Sequence, residues 1–179
     1  MADRIATLAQ LGLTARGSAE AQITGLAVDS RAVRPGFLFA AMPGVRVHGA
    51  SYIATALAQG AVAILTDAEG ARLAGDLPDH VALVIAEEPR AALSMAASLW
   101  FGAQPETMVA VTGTNGKTSV ATFTRQIWMA LGHAAINIGT TGVEGAWAAP
   151  SAHTTPDPIT LHSMLAQAAG AGVTHAAME

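Results

Sequence analysis

The chain has 179 residues, 51% of them hydrophobic and 12% charged, with a net charge of -4 and no cysteine. That length fits one domain or two small ones, and the apolar share is enough to build a buried core. The weak negative charge and 4% aromatic content exclude a sequence-wide basic face for nucleic acid, and the missing cysteines exclude disulfides, thiolate zinc sites and thiol nucleophiles.

The N-terminus lacks the charged-then-apolar pattern of a signal peptide, and no apolar run reaches the ~18 residues of a membrane span. The expectation is an α/β protein of the cytoplasm, without membrane insertion. In chain order, Arg4–Leu11 is predicted as a short helix and Ile23–Val28 as a strand, with Asp29-Ser30-Arg31 at its end. Arg34-Pro35-Gly36 is a turn, Phe37–Ala40 a short apolar strand, and Met42–Gly49 a loop rich in glycine and proline. Tyr52–Gln59 suits a helix closed by Gly60, while Ala61–Leu65 and Val81–Ile85 read as buried strands. Pro89–Trp100 is a helical run that Pro89 opens, and Gly102–Glu106 breaks the chain. A strand at Met108–Val111 then runs into a glycine-rich loop, and a helix follows over Thr118–Leu131. The next strand is Ala134–Ile138, with a hairpin-like stretch through Gly145. Asp157 caps a last helix over Ile159–Ala169, and Val173–Met178 is the last strand.

Residues 1–87 are therefore expected to form a small mixed α/β domain, and 88–179 the opening of a doubly wound parallel-sheet domain. Only about three strands stand where such sheets usually have five or six. The second domain thus reads as cut off, leaving an unpaired strand edge and an uncovered apolar face.

Strand, then Gly113-x-x-Gly116-Lys117-Thr118, then helix is a phosphate-binding arrangement of the P-loop type. Its glycines let backbone N–H groups converge on phosphate oxygens, and the helix that follows adds the positive end of its dipole. Lys117 would reach the outer phosphates and the Thr118 hydroxyl would ligate Mg²⁺. The common motif has one more glycine, where this chain has Val111. Against that, Lys117 is the only lysine in a chain with eight arginines, at a position where the two cations are not interchangeable.

Val111-Thr112-Gly113-Thr114-Asn115-Gly116-Lys117-Thr118 resembles the ATP loop of the Mur ligases, which form amide bonds in peptidoglycan precursors. Asp29-Ser30-Arg31-x-Val33-x-Pro35-Gly36-x-Leu38-Phe39-x-Ala41 and Gly44-x-x-x-His48-Gly49 resemble the uridine-nucleotide domain of two of its members. Thr114-Asn115, together with His153-Thr154-Thr155-Pro156-Asp157-Pro158, is similar to the branch that adds the third residue. The resemblance extends from about Asp29 to Glu179.

It implies that residues 1–87 bind the uridine nucleotide of UDP-MurNAc and that 88–179 begin the central ATP-binding domain. Gly113, Thr114, Asn115, Gly116, Lys117, Thr118 and Ser119 would then bind ATP, with Lys117 acting in catalysis and Thr118 and Glu179 holding Mg²⁺. Val28, Ser30, Val45, Arg46 and Val47 would hold the uridine nucleotide, and His153, Thr154 and Thr155 the muramoyl-peptide part. The implied substrates are UDP-MurNAc-L-Ala-D-Glu and a diamino acid, diaminopimelate or lysine, joined through an acyl phosphate by a monomeric enzyme of cell-wall synthesis. The fragment alone is expected to be inactive. An inactive UDP- or ATP-binding module and a folylpolyglutamate-synthetase-like ligase are the alternatives, and Asp29-Ser30-Arg31 argues against the last.

Plainer roles compete for several of these residues. Asp29-Ser30-Arg31 also suits a strand-to-turn cap, and Arg31, Arg34 and Arg46 suit solvated surface. Asp157 reads as a helix cap, Met108, Met129 and Met164 as core filler, and Trp100 and Trp128 as helix residues without a ligand. His48, His80, His133, His162 and His175 lack metal-ligand spacing and are assigned no chemistry.

Overall fold

Parallel strands buried on both faces need near-continuous apolar runs joined by helical crossovers, and both parts of this chain supply short runs of that kind. The computed structural model describes residues 4–16, 21–149 and 156–179, which form two compact units, Met1–Trp100 and Phe101–Glu179.

In the first unit β1 (Ala6–Thr7) pairs antiparallel with β2 (Gln22–Ile23). Then β3 (Gly25–Ala27), β4 (Phe37–Ala40), β5 (Ala63–Thr66) and β6 (Ala82–Ile85) form a parallel sheet in sequence order. The helices are α1 (Ile53–Ala58), α2 (Ala68–Ala74) and α3 (Pro89–Phe101). Phe39 and Ile64 from the sheet pack with Ile53 and Ala56 of α1 in one core cluster. Leu38 and Ala40 point to the opposite face by the alternation of a strand, and they too are buried.

Two local expectations differ in the structure, and one further helix is present. Arg4–Leu11 is not a helix: β1 pairs its middle with β2, and only a 3-10 turn at Ala9–Leu11 remains, ended by Gly12 at φ 70°. So short a helix has little stability of its own, and a ladder to a distant strand outweighs it. The strand expected over Ile23–Val28 is divided at Thr24, whose N–H donates to Gly36 O at 2.9 Å, so β2 and β3 join different sheets. Helix α2 was not expected, because Gly70 weakens its helical pattern, yet Asp67 caps it by accepting the Gly70 N–H at 2.7 Å.

The division into units falls after Trp100, whereas the sequence places its boundary at 87–88. The difference is α3, which the N-terminal segment ties to the first unit. Arg4 donates to Leu99 O at 2.9 Å, and its guanidinium lies 5.6 Å from the Trp100 ring centre.

The second unit has β7 (Thr107–Ala110), α4 (Lys117–Ala130), β8 (Ala135–Gly139), β9 (Gly142–Gly145), α5 (Pro158–Gly170) and β10 (His175–Met178). The sheet order is β7-β10-β8-β9, with the first three parallel and β9 antiparallel to β8. Ile136, Ile138 and Ala176 bury one face against Met164, Leu165 and Ala168 of α5. On the other face Asn137, 1% exposed, accepts from Arg125 Nε of α4 at 2.6 Å. Asp157 caps α5 as expected, accepting from Ile159 N and Thr160 N. All four residues of β7 are exposed, as is an apolar stripe of Val120, Phe123, Ile127 and Leu131 along α4.

Phe39 is 1% exposed, so Phe39→Ala is expected to cost about 3–5 kcal/mol in urea unfolding. Val45→Ala, at a fully exposed position, should stay within about 0.5 kcal/mol of the parent.

Candidate functional site

Two sites emerge, one in each unit, and in both the side chains stand at the carboxyl ends of parallel strands. In the first unit β3 ends at Ala27, and the chain turns immediately into a 3-10 helix at Ser30–Ala32. Asp29 caps that turn by accepting the Arg31 N–H at 2.9 Å, and its carboxylate also takes Arg31 Nη2 at 2.7 Å. The Arg31 contacts lower the Asp29 carboxyl to about 2, so both groups stay charged. The cap expected as the plainer role is therefore present. The same residues also line a cleft of about 690 Å³ together with Val28, Ser30, Tyr52 and Thr55. Val28 and Ser30 are thus brought to one cleft, while Val45, Arg46 and Val47 sit on the exposed loop between β4 and α1. Tyr52 and Thr55 were missed by the sequence reading, although Tyr52 is the only tyrosine of the chain.

In the second unit β7 delivers the chain into the glycine loop, and Val111 N extends the ladder to Met178 O at 2.7 Å. Gly116 takes φ 77° at the N-cap of α4 and Gly113 takes φ 148°, regions that side-chain-bearing residues rarely adopt. Lys117 Nζ donates to Gly113 O at 2.8 Å, which folds the ammonium back over the loop. Thr118 in the first turn of α4 donates its hydroxyl to Glu179 Oε2 at 2.8 Å. The other carboxylate oxygen, Oε1, accepts from Thr140 N at 2.7 Å and Thr140 Oγ1 at 2.9 Å. The Thr140 amide and the Thr118 hydroxyl, with Lys117 nearby, hold the Glu179 carboxyl below its ordinary range. Gly139 gives the carboxylate room, since a Cβ there would collide with the Glu179 side chain.

Thr118 and Glu179 thus present a hydroxyl and an ionised carboxylate side by side next to a phosphate-type loop. Oxygen donors of this kind suit Mg²⁺, which takes one or two protein oxygens and completes its shell with phosphate and water. The sequence reads positions 139–145 as a glycine-rich hairpin and gives Thr140 no role. Its situation at the carboxyl end of β8 was the available cue. His153, Thr154 and Thr155 lie outside the described residues.

Residues 22–99 match the family model described as "Mur ligase family, catalytic domain", and residues 111–179 match "Mur ligase middle domain". A UDP-N-acetylmuramoyl-L-alanyl-D-glutamate–2,6-diaminopimelate ligase of Agrobacterium fabrum is 52% identical over 163 residues, covering 88% of this chain and 31% of that protein. Its counterpart from Brucella melitensis is 52% identical over 161 residues, covering 89% of this chain and 32% of that one. A solved diaminopimelate ligase structure of the same name superposes with a TM-score of 0.76 at 22% identity, over 98% of this chain and 36% of that one. A Thermotoga maritima MurF ligase solved with ADP gives 0.52 at 19% identity, over 86% and 31% respectively, and these two likenesses show the fold alone. The chain spans about a third of the length of these relatives. Through both its matched segments, the chain belongs to the Mur ligase family.

Proposed function

We propose that these residues supply the uridine-nucleotide cleft and the ATP loop of an ATP-dependent ligase of peptidoglycan synthesis in the cytoplasm. Its substrates are UDP-MurNAc-L-Ala-D-Glu and a diamino acid, and the relatives' names favour diaminopimelate. The observation that carries this reading is the Thr118–Glu179 pair at the mouth of the Gly113–Thr118 loop. Turnover is assigned to a polypeptide of the relatives' length, and nucleotide binding to these 179 residues.

In the proposed reaction the terminal carboxylate of the sugar-peptide attacks the γ-phosphorus of ATP. The bond to ADP breaks and an acyl phosphate forms. The amine of the incoming amino acid then attacks the acyl carbon, loses a proton and expels inorganic phosphate. Positioning and charge neutralisation dominate such a transfer. The backbone N–H groups of residues 113–118 would cradle the phosphates, and Lys117 would leave Gly113 O for the outer phosphates, following the developing charge. Thr118 and Glu179 would hold Mg²⁺, which supplies neutralisation of phosphate charge when bound. The Thr140 N–H keeps Glu179 ionised and aimed at Thr118. Val28, Ser30 and the 45–47 loop would contact the uridine nucleotide, and Tyr52 and Thr55 join them as lining residues of that cleft. Residues 153–155 keep their proposed contact with the muramoyl-peptide.

Lys117→Ala is expected to weaken Mg-ATP binding about 10- to 100-fold by titration calorimetry, the worth of hydrogen bonds to a charged group. Lys117→Arg should not restore it, and UDP affinity should be unchanged in both. An unaltered ATP affinity in Lys117→Ala would overturn the loop assignment.

Glu179 carries a pH signature of its own. Its folded pKa lies below the ordinary 4.5, so its contribution to stability is present above that value and lost as pH falls through the folded one. The thermal midpoint of Glu179→Gln should therefore lie below that of the parent at about pH 6–7, and the two should converge on acidification.

A further inference from the structure

The loop between β4 and α1 is an exposed segment of the first unit to which the family reading gives a ligand, and Val45 at its tip is fully solvated. Val45 is 106% exposed and Val47 51%. A loop of that exposure would ordinarily be floppy, yet its base is fastened at three points. The Gly49 N–H donates to Met42 O at 2.8 Å and closes the loop on itself. Arg90, near the start of α3, donates to Pro43 O at 3.2 Å on the entering strand side. His48, on the leaving side, makes two bonds that face different elements.

His48 Nδ1 accepts the Ala50 N–H at 3.0 Å and so caps the 3-10 turn at Gly49–Tyr52 that leads into α1. With Nδ1 accepting, Nε2 is the protonated nitrogen, and it lies 3.1 Å from Asp67 Oδ1. That same carboxylate oxygen accepts the Gly70 N–H and caps α2. Asp67 is held below the ordinary carboxylate range, first by the Gly70 N–H and then by His48, so it is an anionic acceptor for the imidazole. One side chain therefore ties the exit of the loop to the starts of two helices, with its own side chain only 14% exposed. Gly70 permits the close approach, since a Cβ there would strike Thr66 and His48.

We propose that His48, bridged to Asp67, is a positioning residue that holds Val45, Arg46 and Val47 in the conformation that receives the uridine diphosphate, with Arg90 fixing the other side of the loop. The proposal rests on the reading of that loop as a uridine-nucleotide contact. The imidazole touches no ligand itself. It removes backbone freedom that binding would otherwise have to remove, which is how a preorganised loop gains affinity.

The test uses the 179-residue chain, UDP as probe and two readouts: UDP affinity by calorimetry, and the rate of tryptic cleavage after Arg46 without ligand. His48→Ala should weaken UDP binding about tenfold, close to the ordering of one residue of backbone, and should speed that cleavage several-fold. His48→Asn can still cap Ala50 but is too short for Asp67, whereas His48→Gln can reach Asp67 with its amide N–H. Recovery of both readouts in Gln and not in Asn is the expected pattern. A merely structural histidine would lower the thermal midpoint while leaving UDP affinity and loop cleavage at the parent values, and that result overturns the proposal, as does full recovery in Asn. Ser30→Ala and Arg46→Ala separate the two levels. If they leave UDP affinity unchanged, the nucleotide reading itself fails. If they weaken it while His48→Ala binds like the parent, only the clamp fails.

Discussion

A parallel sheet ends all its strands on one side, and this constraint governs where chemistry can sit in both units. Side chains within the inner strands are buried between layers, so they build the core and are unavailable to a ligand. What remains are the few residues just past each strand, where the chain must turn to reach its crossover. Asp29 and Ser30 follow β3, Asp67 follows β5, Thr140 follows β8 and Glu179 follows β10. Each does work that a mid-strand residue could not do. Glu179 shows the point most sharply, because its register beside β8 sets one carboxylate oxygen on the Thr140 amide and leaves the other for Thr118.

The two sites use that constraint differently. The glycine loop is shaped mainly by backbone: Gly116 in the left-handed region lets α4 begin with its N–H groups free, and side chains add one ammonium, one hydroxyl and one carboxylate. The cleft beside β3 is shaped by side chains, with the Asp29–Arg31 pair fixing the turn while Val28, Tyr52 and Thr55 supply walls. A ligand at the first site is met by dipoles, and a ligand at the second by a mixture of apolar surface and fixed charge.

Most strands and helices were legible because their cues are local. Gly60 and Gly132 close helices, Asp157 and Pro158 open one, and β4 to β6 are short apolar runs between breaks. The glycine loop was legible for the same reason, since its residues are consecutive. Apart from α2, what stayed hidden depended on contacts between distant residues. No local pattern shows that Ala6 faces Ile23, or that α3 belongs with the N-terminal segment through Arg4. The histidine at position 48 shows the limit well: its sequence neighbours place it in a loop, and only the fold brings Asp67, nineteen residues on, to its ring. Thr140 was obscured in the same way, because its partner Glu179 lies 39 residues away.

The strand that carries the glycine loop has one further property. Among the described residues β7 has a ladder on one side only, to β10, and its four residues are exposed. The segment leading into the Gly113–Thr118 loop is therefore an edge strand of this sheet, held by one ladder. On the proposed reading, a nucleotide that needs the loop in place would also suppress opening of that edge, so affinity and local opening would be two faces of one equilibrium. On the same reading, whatever strengthens the β7–β10 ladder would tighten phosphate binding without touching a phosphate, and amide exchange along β7 would gauge how fully the loop is occupied.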